Sequence, residues 1–172
     1  MPAYLTEESL GNHLKKIFNA DFIHDKPFIG KFRPDYRNDD LKLIVEFDGD
    51  RHYAMVNFIL RDALKDKQEK ELDYRVVRWP YFVQMTSEIA KIFLGVEYEV
   101  EQAYPHGFID AKCVCPADFC MLGIEKFIDD VKKLSKDIQE DIIKSLESKI
   151  ANARFGWQEV VPDGLMKIIR KS

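Results

Sequence analysis

Residues 43–53 read LIVEFDGDRHY. Leu43, Val45 and Phe47 point one way along an extended chain and Ile44 the other, which makes 41–48 (LKLIVEFD) the strongest strand in the sequence. That strand runs into Glu46 and Asp48, then Gly49, then His52. Glu46 and Asp48 are two residues apart and therefore share one face. Gly49 permits a sharp exit from the strand. A fold has no need of two acids and an imidazole at the end of so apolar a run. A metal site does.

The flanking residues extend the pattern in both directions. KFRPDYR (31–37) reads as a short strand and Asn38–Asp40 as a turn, so a hairpin with 41–48 places Asp35 beside Glu46. Two carboxylates on adjacent strands are enough to hold Mg²⁺, which takes hard oxygen ligands and keeps several waters. His52 can serve as an acid or base near neutral pH. Each feature alone is common on surfaces: an Asp in a hairpin, a Glu at a strand end, DGD in a turn. Together the three carboxylates would repel one another without a cation.

Further out, Thr6–Asn19 is an amphipathic helix with Thr6 as N-cap and Leu10, Leu14, Ile17 and Phe18 on its apolar stripe. Tyr53–Asp73 reads as one long helix of good helix formers. Tyr74–Val83 is a strand ending near Pro80. Thr86–Gly95 is a helix with a Thr86 or Ser87 cap. The order α, β, β, α, β, α is that of a layered α/β unit. Tyr104–Cys120 is a loop-rich connector. Apolar residues from Ile124 to Ile150 recur at helical spacing for one or two helices, and the tail from Arg154 suggests a strand and a turn of helix. Two regions are expected, an α/β core over 1–104 and a mainly helical extension over 105–172.

At 172 residues with 46% hydrophobic and 33% charged side chains, the chain can bury a substantial core. No apolar run approaches the length of about 18 residues that a membrane span needs. The start has no apolar core of the signal-peptide type, so a cytoplasmic location is the expectation. Net charge is -4, with 15 Lys+Arg against 19 Asp+Glu up to Tyr104 and 11 against 11 beyond it. Neither part is a basic tail. Nucleic-acid binding would need a local positive groove.

Three blocks taken together, RPDY (33–36), LKLIVEFDGDRHY (41–53) and RDALKDKQEKELDYRVVRW (61–79), resemble the PD-(D/E)XK nuclease superfamily. The nearest branch contains the very-short-patch-repair endonucleases and their relatives. Asp35 matches the first acid of that pattern; Glu46, Asp48, Gly49 and His52 match its E-x-D-G-x-x-H block. Asp62 and Lys65 match the D-x-x-R start of the next helix, with Lys for Arg, and Val76–Trp79 match the last strand. The likeness covers residues 6–82, about half the chain.

The resemblance implies a restriction-endonuclease-like core with a mixed sheet flanked by helices, and metal-dependent hydrolysis of phosphodiesters, most readily in double-stranded DNA. It implies Mg²⁺, with Mn²⁺ as a substitute, at Asp35 and Glu46 beside the Phe47 carbonyl. Asp48 becomes a further ligand or orients His52, and Glu8 stands where some relatives supply another acid, with Glu7 adjacent. The superfamily has Lys at the position of Asp48. The task of that lysine passes to His52 or Lys65. Two alternatives follow: an inactive relative that uses the fold to bind nucleic acid or a protein, and an RNA-directed nuclease. A homodimer would suit cutting of both strands.

Other features carry less. His106, Cys113, Cys115 and Cys120 fall within fifteen residues and could bind Zn²⁺, although C-x-C-x4-C is not a paired knuckle and buried free cysteines are the alternative. Lysines and arginines around the motif, among them Arg33, Arg37, Arg51 and Arg61, could contact phosphates or be ordinary solvated charges. Trp79 and Tyr81 could stack on bases, but core positions suit such a strand better.

Overall fold

The computed structural model describes residues 4–153 and 160–171. Helix α1 (Glu7–Phe18) starts where the sequence places it. The Thr6 hydroxyl accepts from the Ser9 N–H and the Ser9 hydroxyl accepts from the Thr6 N–H, so two free amides are satisfied reciprocally. Four strands follow: β1 (Ile23–His24), β2 (Tyr36–Asn38), β3 (Leu43–Asp48) and β4 (Arg75–Pro80). They form one mixed sheet in the order β1-β2-β3-β4, antiparallel at the first two junctions and parallel at the third. Helices flank this sheet.

The two faces of the sheet differ in character. Leu43, Val45, Val77 and Trp79 join Tyr36 in the hydrophobic core with Leu10 and Leu14 of α1 and Ile89 and Phe93 of α4 (Ser87–Leu94). The rings of Trp79 and Phe93 lie 5.0 Å apart. The opposite face carries Ile44, Glu46, Asp48 and Arg78. Helix α3 (Val56–Glu71) packs there and buries only Asp62, Lys65 and Glu69, while Val56, Leu60 and Leu64 face solvent. Its polar side is turned inward and its apolar side outward.

Beyond α4, the 3-10 turn Pro116–Asp118 leads into α5 (Met121–Lys132) and α6 (Lys136–Ala151), and α7 (Leu165–Lys171) closes the described chain. The stripe from Ile124 to Ile150 is thus two helices. Phe127, Val131, Ile142 and Leu146 share a core with Phe82 and Phe108. Among the described residues no helix is long and apolar enough to cross a membrane.

Three expectations are corrected: the single helix over 53–73, the strand over 31–37 and the place of Asn38 in the turn. The span 53–73 is not one helix: a short α2 (Arg51–Ala54) ends at Met55, which is extended. Tyr53 is buried against Phe119, and its carbonyl accepts from the Cys120 N–H rather than from the next helical turn. Tertiary contact has overridden helix propensity. The strand expected at 31–37 starts only at Tyr36, and Asn38 belongs to it rather than to the turn. Pro34 has no N–H to give a ladder. Strand β1, two exposed residues at the sheet edge, has no pattern that a sequence reading could find. The tail beyond Arg154 has α7 where a turn of helix is expected; the strand expected before it falls partly on 154–159, outside the described residues.

Candidate active site

Strand register brings the first two acids together. Tyr36 pairs with Val45, so one residue back Asp35 stands opposite Glu46. The Asp35 Oδ2 accepts from the Phe47 N–H at 2.7 Å. Burial pushes the Asp35 carboxyl up, against the pull of that amide, and Glu7 adds to the rise. Glu8, by contrast, is exposed.

Glu46 is 4% exposed. Burial first, and then Asp35, push its carboxyl up to about 8, although Lys65 opposes the shift. The Lys65 Nζ stands 2.7 Å from the Glu46 Oε1 and donates to the Arg33 carbonyl at 3.0 Å. A lysine therefore does reach the Asp35–Glu46 pair. It comes from α3 rather than from the strand position that Asp48 occupies.

Beside this lies a second cluster. Asp48 is fully buried and takes two cations, Arg78 Nη1 at 2.7 Å and Lys126 Nζ at 2.9 Å. Burial raises its carboxyl, but Arg78 and then Lys126 outweigh that and hold it below the usual carboxylate range. The His52 Nδ1 lies 2.5 Å from the Asp62 Oδ2 and 3.6 Å from the Asp48 Oδ1. Arg78 also grips Asp66, with Nε 3.0 Å from both carboxylate oxygens and Nη2 2.7 Å from Oδ1. Lys126, from α5, bridges Asp48 to Asp130 at 2.7 Å, and Asp130 accepts from the Tyr53 hydroxyl.

Two donor sets result. Asp48, His52 and Asp62 each offer one ligand atom within 4.8 Å of the others, a buried group that could hold a metal ion. Asp48 there already carries two positive side chains. Asp35 and Glu46 offer hard oxygens, and Lys65 is the cation that bears on both most strongly. A buried glutamate held near 8 beside a second carboxyl is the donor chemistry that suits a hard dication.

The sequence reading gave no role to Asp62 and Arg78 and passed over Asp66, Glu69, Lys126 and Asp130. One signal was present: Asp62, Lys65, Asp66 and Glu69 follow i, i+3, i+4, i+7 spacing, a charged stripe on one helix face. Nothing local in the sequence links Lys126 to Asp48.

The proposed zinc set is not assembled. His106 is bound through Nε2 to Asp141 at 3.0 Å, and its Nδ1 accepts from the Phe108 N–H. The Cys113 Sγ meets the Tyr4 hydroxyl at 3.3 Å, and the Cys120 Sγ accepts from the Gly123 N–H at the start of α5. These three have separate jobs in packing or capping, and the Cys115 Sγ lies 3.9 Å from the Cys113 carbonyl oxygen. Trp79 is core, its indole N–H bound to the Val83 carbonyl. Tyr81 is also buried, with its hydroxyl on Val114, so neither ring is free to stack on bases. Gly49 has no left-handed backbone and a Cβ there would meet open space, so the strand exit does not depend on glycine. Lys15, Arg33 and Arg37 are paired with Asp21, Asp25 and Asp39.

Comparison of the chain with protein-family models, with curated proteins and with solved structures gives no match.

Proposed function

We propose that this chain is a divalent-cation-dependent endonuclease of the PD-(D/E)XK kind, acting on DNA. The observation that carries the reading is the pairing of Asp35 and Glu46 across antiparallel strands with Lys65 at their edge. Asp35 and Glu46 would hold Mg²⁺ or Mn²⁺. Bound there, such an ion polarises a phosphodiester and lowers the pKa of an attacking water.

The remaining roles belong to the chain itself. Lys65 supplies the positive charge that the motif normally carries two residues after the glutamate. His52 moves a proton: its Nδ1–H is fixed on Asp62, which leaves Nε2 to accept. Asp48, with Arg78 and Lys126 behind it, orients His52 rather than binding the ion.

A second reading is a nuclease-fold module without catalysis. The groove of about 520 Å³ between α1 and the β1–β2 edge favours it, because its lining includes Glu7, Glu8 and Asp21 against Lys15 and His24, a poor track for phosphate.

The test is a cleavage panel of supercoiled plasmid, single-stranded DNA and RNA with Mg²⁺, with Mn²⁺ and with EDTA. Cation-dependent cutting lost in both Asp35→Ala and Glu46→Ala is the expected result. Preferred cutting of RNA would change the substrate. No cutting by the unaltered protein, together with no cation binding in calorimetry, would overturn the reading.

A further inference from the structure

Glu69 is an unexplained group. It sits on α3 one turn beyond Lys65, on the face turned toward the sheet, and it is 0% exposed. Neither of its carboxylate oxygens has a hydrogen-bond partner. A buried unsatisfied carboxylate is costly, and a fold keeps one only where something else requires it. The nearby arginine cannot serve it, because Arg78 is committed to Asp48, Asp66 and Asp62.

Lys65 is the cation that bears on Glu69 most strongly, ahead of Arg78. The two are at i and i+4, the spacing at which helix side chains meet. Yet the Lys65 Nζ reaches away from Glu69, to the Glu46 Oε1 and the Arg33 carbonyl. A dication bound to Asp35 and Glu46 would share that carboxylate with the ammonium, and two like charges on one buried oxygen pair repel strongly. The lysine then needs another anion within reach of its stem. Glu69 is placed for that.

We propose that Lys65 has two seats: on Glu46 before a cation binds, and on Glu69 after it. Glu69 is a positioning residue for the metal site, not a ligand. The inference rests on the assignment of the cation to Asp35 and Glu46. Lys65 in its first seat neutralises Glu46 and keeps the pocket closed to weak cations. In its second seat it stands back by one helical turn and leaves Glu46 to the cation.

The test is a double-mutant cycle on cation affinity alone, without nucleic acid. Mn²⁺ and Mg²⁺ are titrated by calorimetry into the unaltered protein, Lys65→Met, Glu69→Gln and the double variant, with Asp35→Asn as the ligand-loss control. Lys65→Met removes a competitor and should tighten cation binding. Glu69→Gln removes the second seat and should weaken it by about tenfold or more, the loss of one charged hydrogen bond. In the Lys65→Met background Glu69→Gln should have no effect, because no lysine needs the seat. Equal weakening in both backgrounds would make Glu69 a direct ligand or a purely structural group, and would overturn the proposal. No weakening in either would do the same. Binding with an additive cycle sinks only this inference, whereas absence of cation binding by every protein sinks the metal assignment and the inference with it. Glu69→Gln keeps the size and shape of the side chain, so the variant is expected to fold.

Discussion

Lys126→Met tests whether the helix after the connector is tied to the central strand by charge. The ammonium sits 2.9 Å from Asp48 and 2.7 Å from Asp130, with its Nζ 4.4 Å above the Tyr53 ring. Methionine keeps most of the stem and removes the charge. Asp130 would still have Lys133 at 2.7 Å and the Tyr53 hydroxyl. Asp48 is worse placed, since among the described residues Lys126 is the only ion partner of its Oδ2 and the carboxylate is fully buried. Removing one partner of a buried pair typically costs about 3 to 5 kcal/mol. Against a total stability of about 5 to 15 kcal/mol that is a large loss. For a chain of this size it corresponds to a fall in Tm of roughly 6 to 20 °C.

The pH dependence adds a second check. Asp48 is held below the usual carboxylate range, so its contribution is present above its unfolded pKa and is lost as pH falls through the folded one. The deficit of Lys126→Met should therefore be largest near neutral pH and shrink in acid, where Asp48 can take a proton. Urea titrations at neutral and acidic pH would measure both. Lys91→Met, whose partner Glu97 is exposed, serves as a control and should not move the midpoint beyond scatter. A Lys126→Met midpoint as close to the unaltered protein as that of the control would refute the buried charge tie.

Three further outcomes follow from the same structure. Burial raises Glu46 to about 8 and Glu69 to about 7 from an ordinary 4.5, so the folded chain binds extra protons between these values. Stability in EDTA should fall as pH rises from the ordinary glutamate pKa to about 8, by on the order of 3 to 5 kcal/mol at most per group. Glu69→Gln should flatten part of that slope, and an unchanged slope would show that Glu69 is not held neutral. A Cβ on Gly123 would lie 1.7 Å from the Tyr53 carbonyl oxygen, so Gly123→Ala must displace α5 and should cost about 1 to 3 kcal/mol. Gly49→Ala, facing open space, should be near neutral in the same thermal assay. Asp35→Asn relieves the repulsion on Glu46, so it should abolish cation binding without lowering stability in EDTA; a marked loss of stability would mean that the acid is there for folding.

Much of the scaffold is legible in the sequence because it rests on local rules. Thr6 and Thr86 cap helices, Gly95 ends one with a left-handed residue, and the alternation in Leu43–Phe47 sets a strand. The pairing of Asp35 with Glu46 also follows locally, from a short hairpin whose register fixes every later pair. The break at Met55 is different, since it depends on a hydrogen bond between Tyr53 and Cys120, which are distant in sequence. The cysteines and His106 look like a ligand set only in one dimension; in space each is taken by a separate neighbour.

The sequence alone therefore determined the strand, its acids and the helix caps, because propensity, period and capping act over a few residues. Only the tertiary structure decided what each charge does. Whether Asp48 is a ligand or a buried counter-ion depends on Lys126, and whether Lys65 serves the site depends on the inward turn of a helix whose apolar side faces solvent. Burial strips water from these groups, so each one's state is set by whichever charge lies within a few ångströms of it, however far apart the two are in the chain.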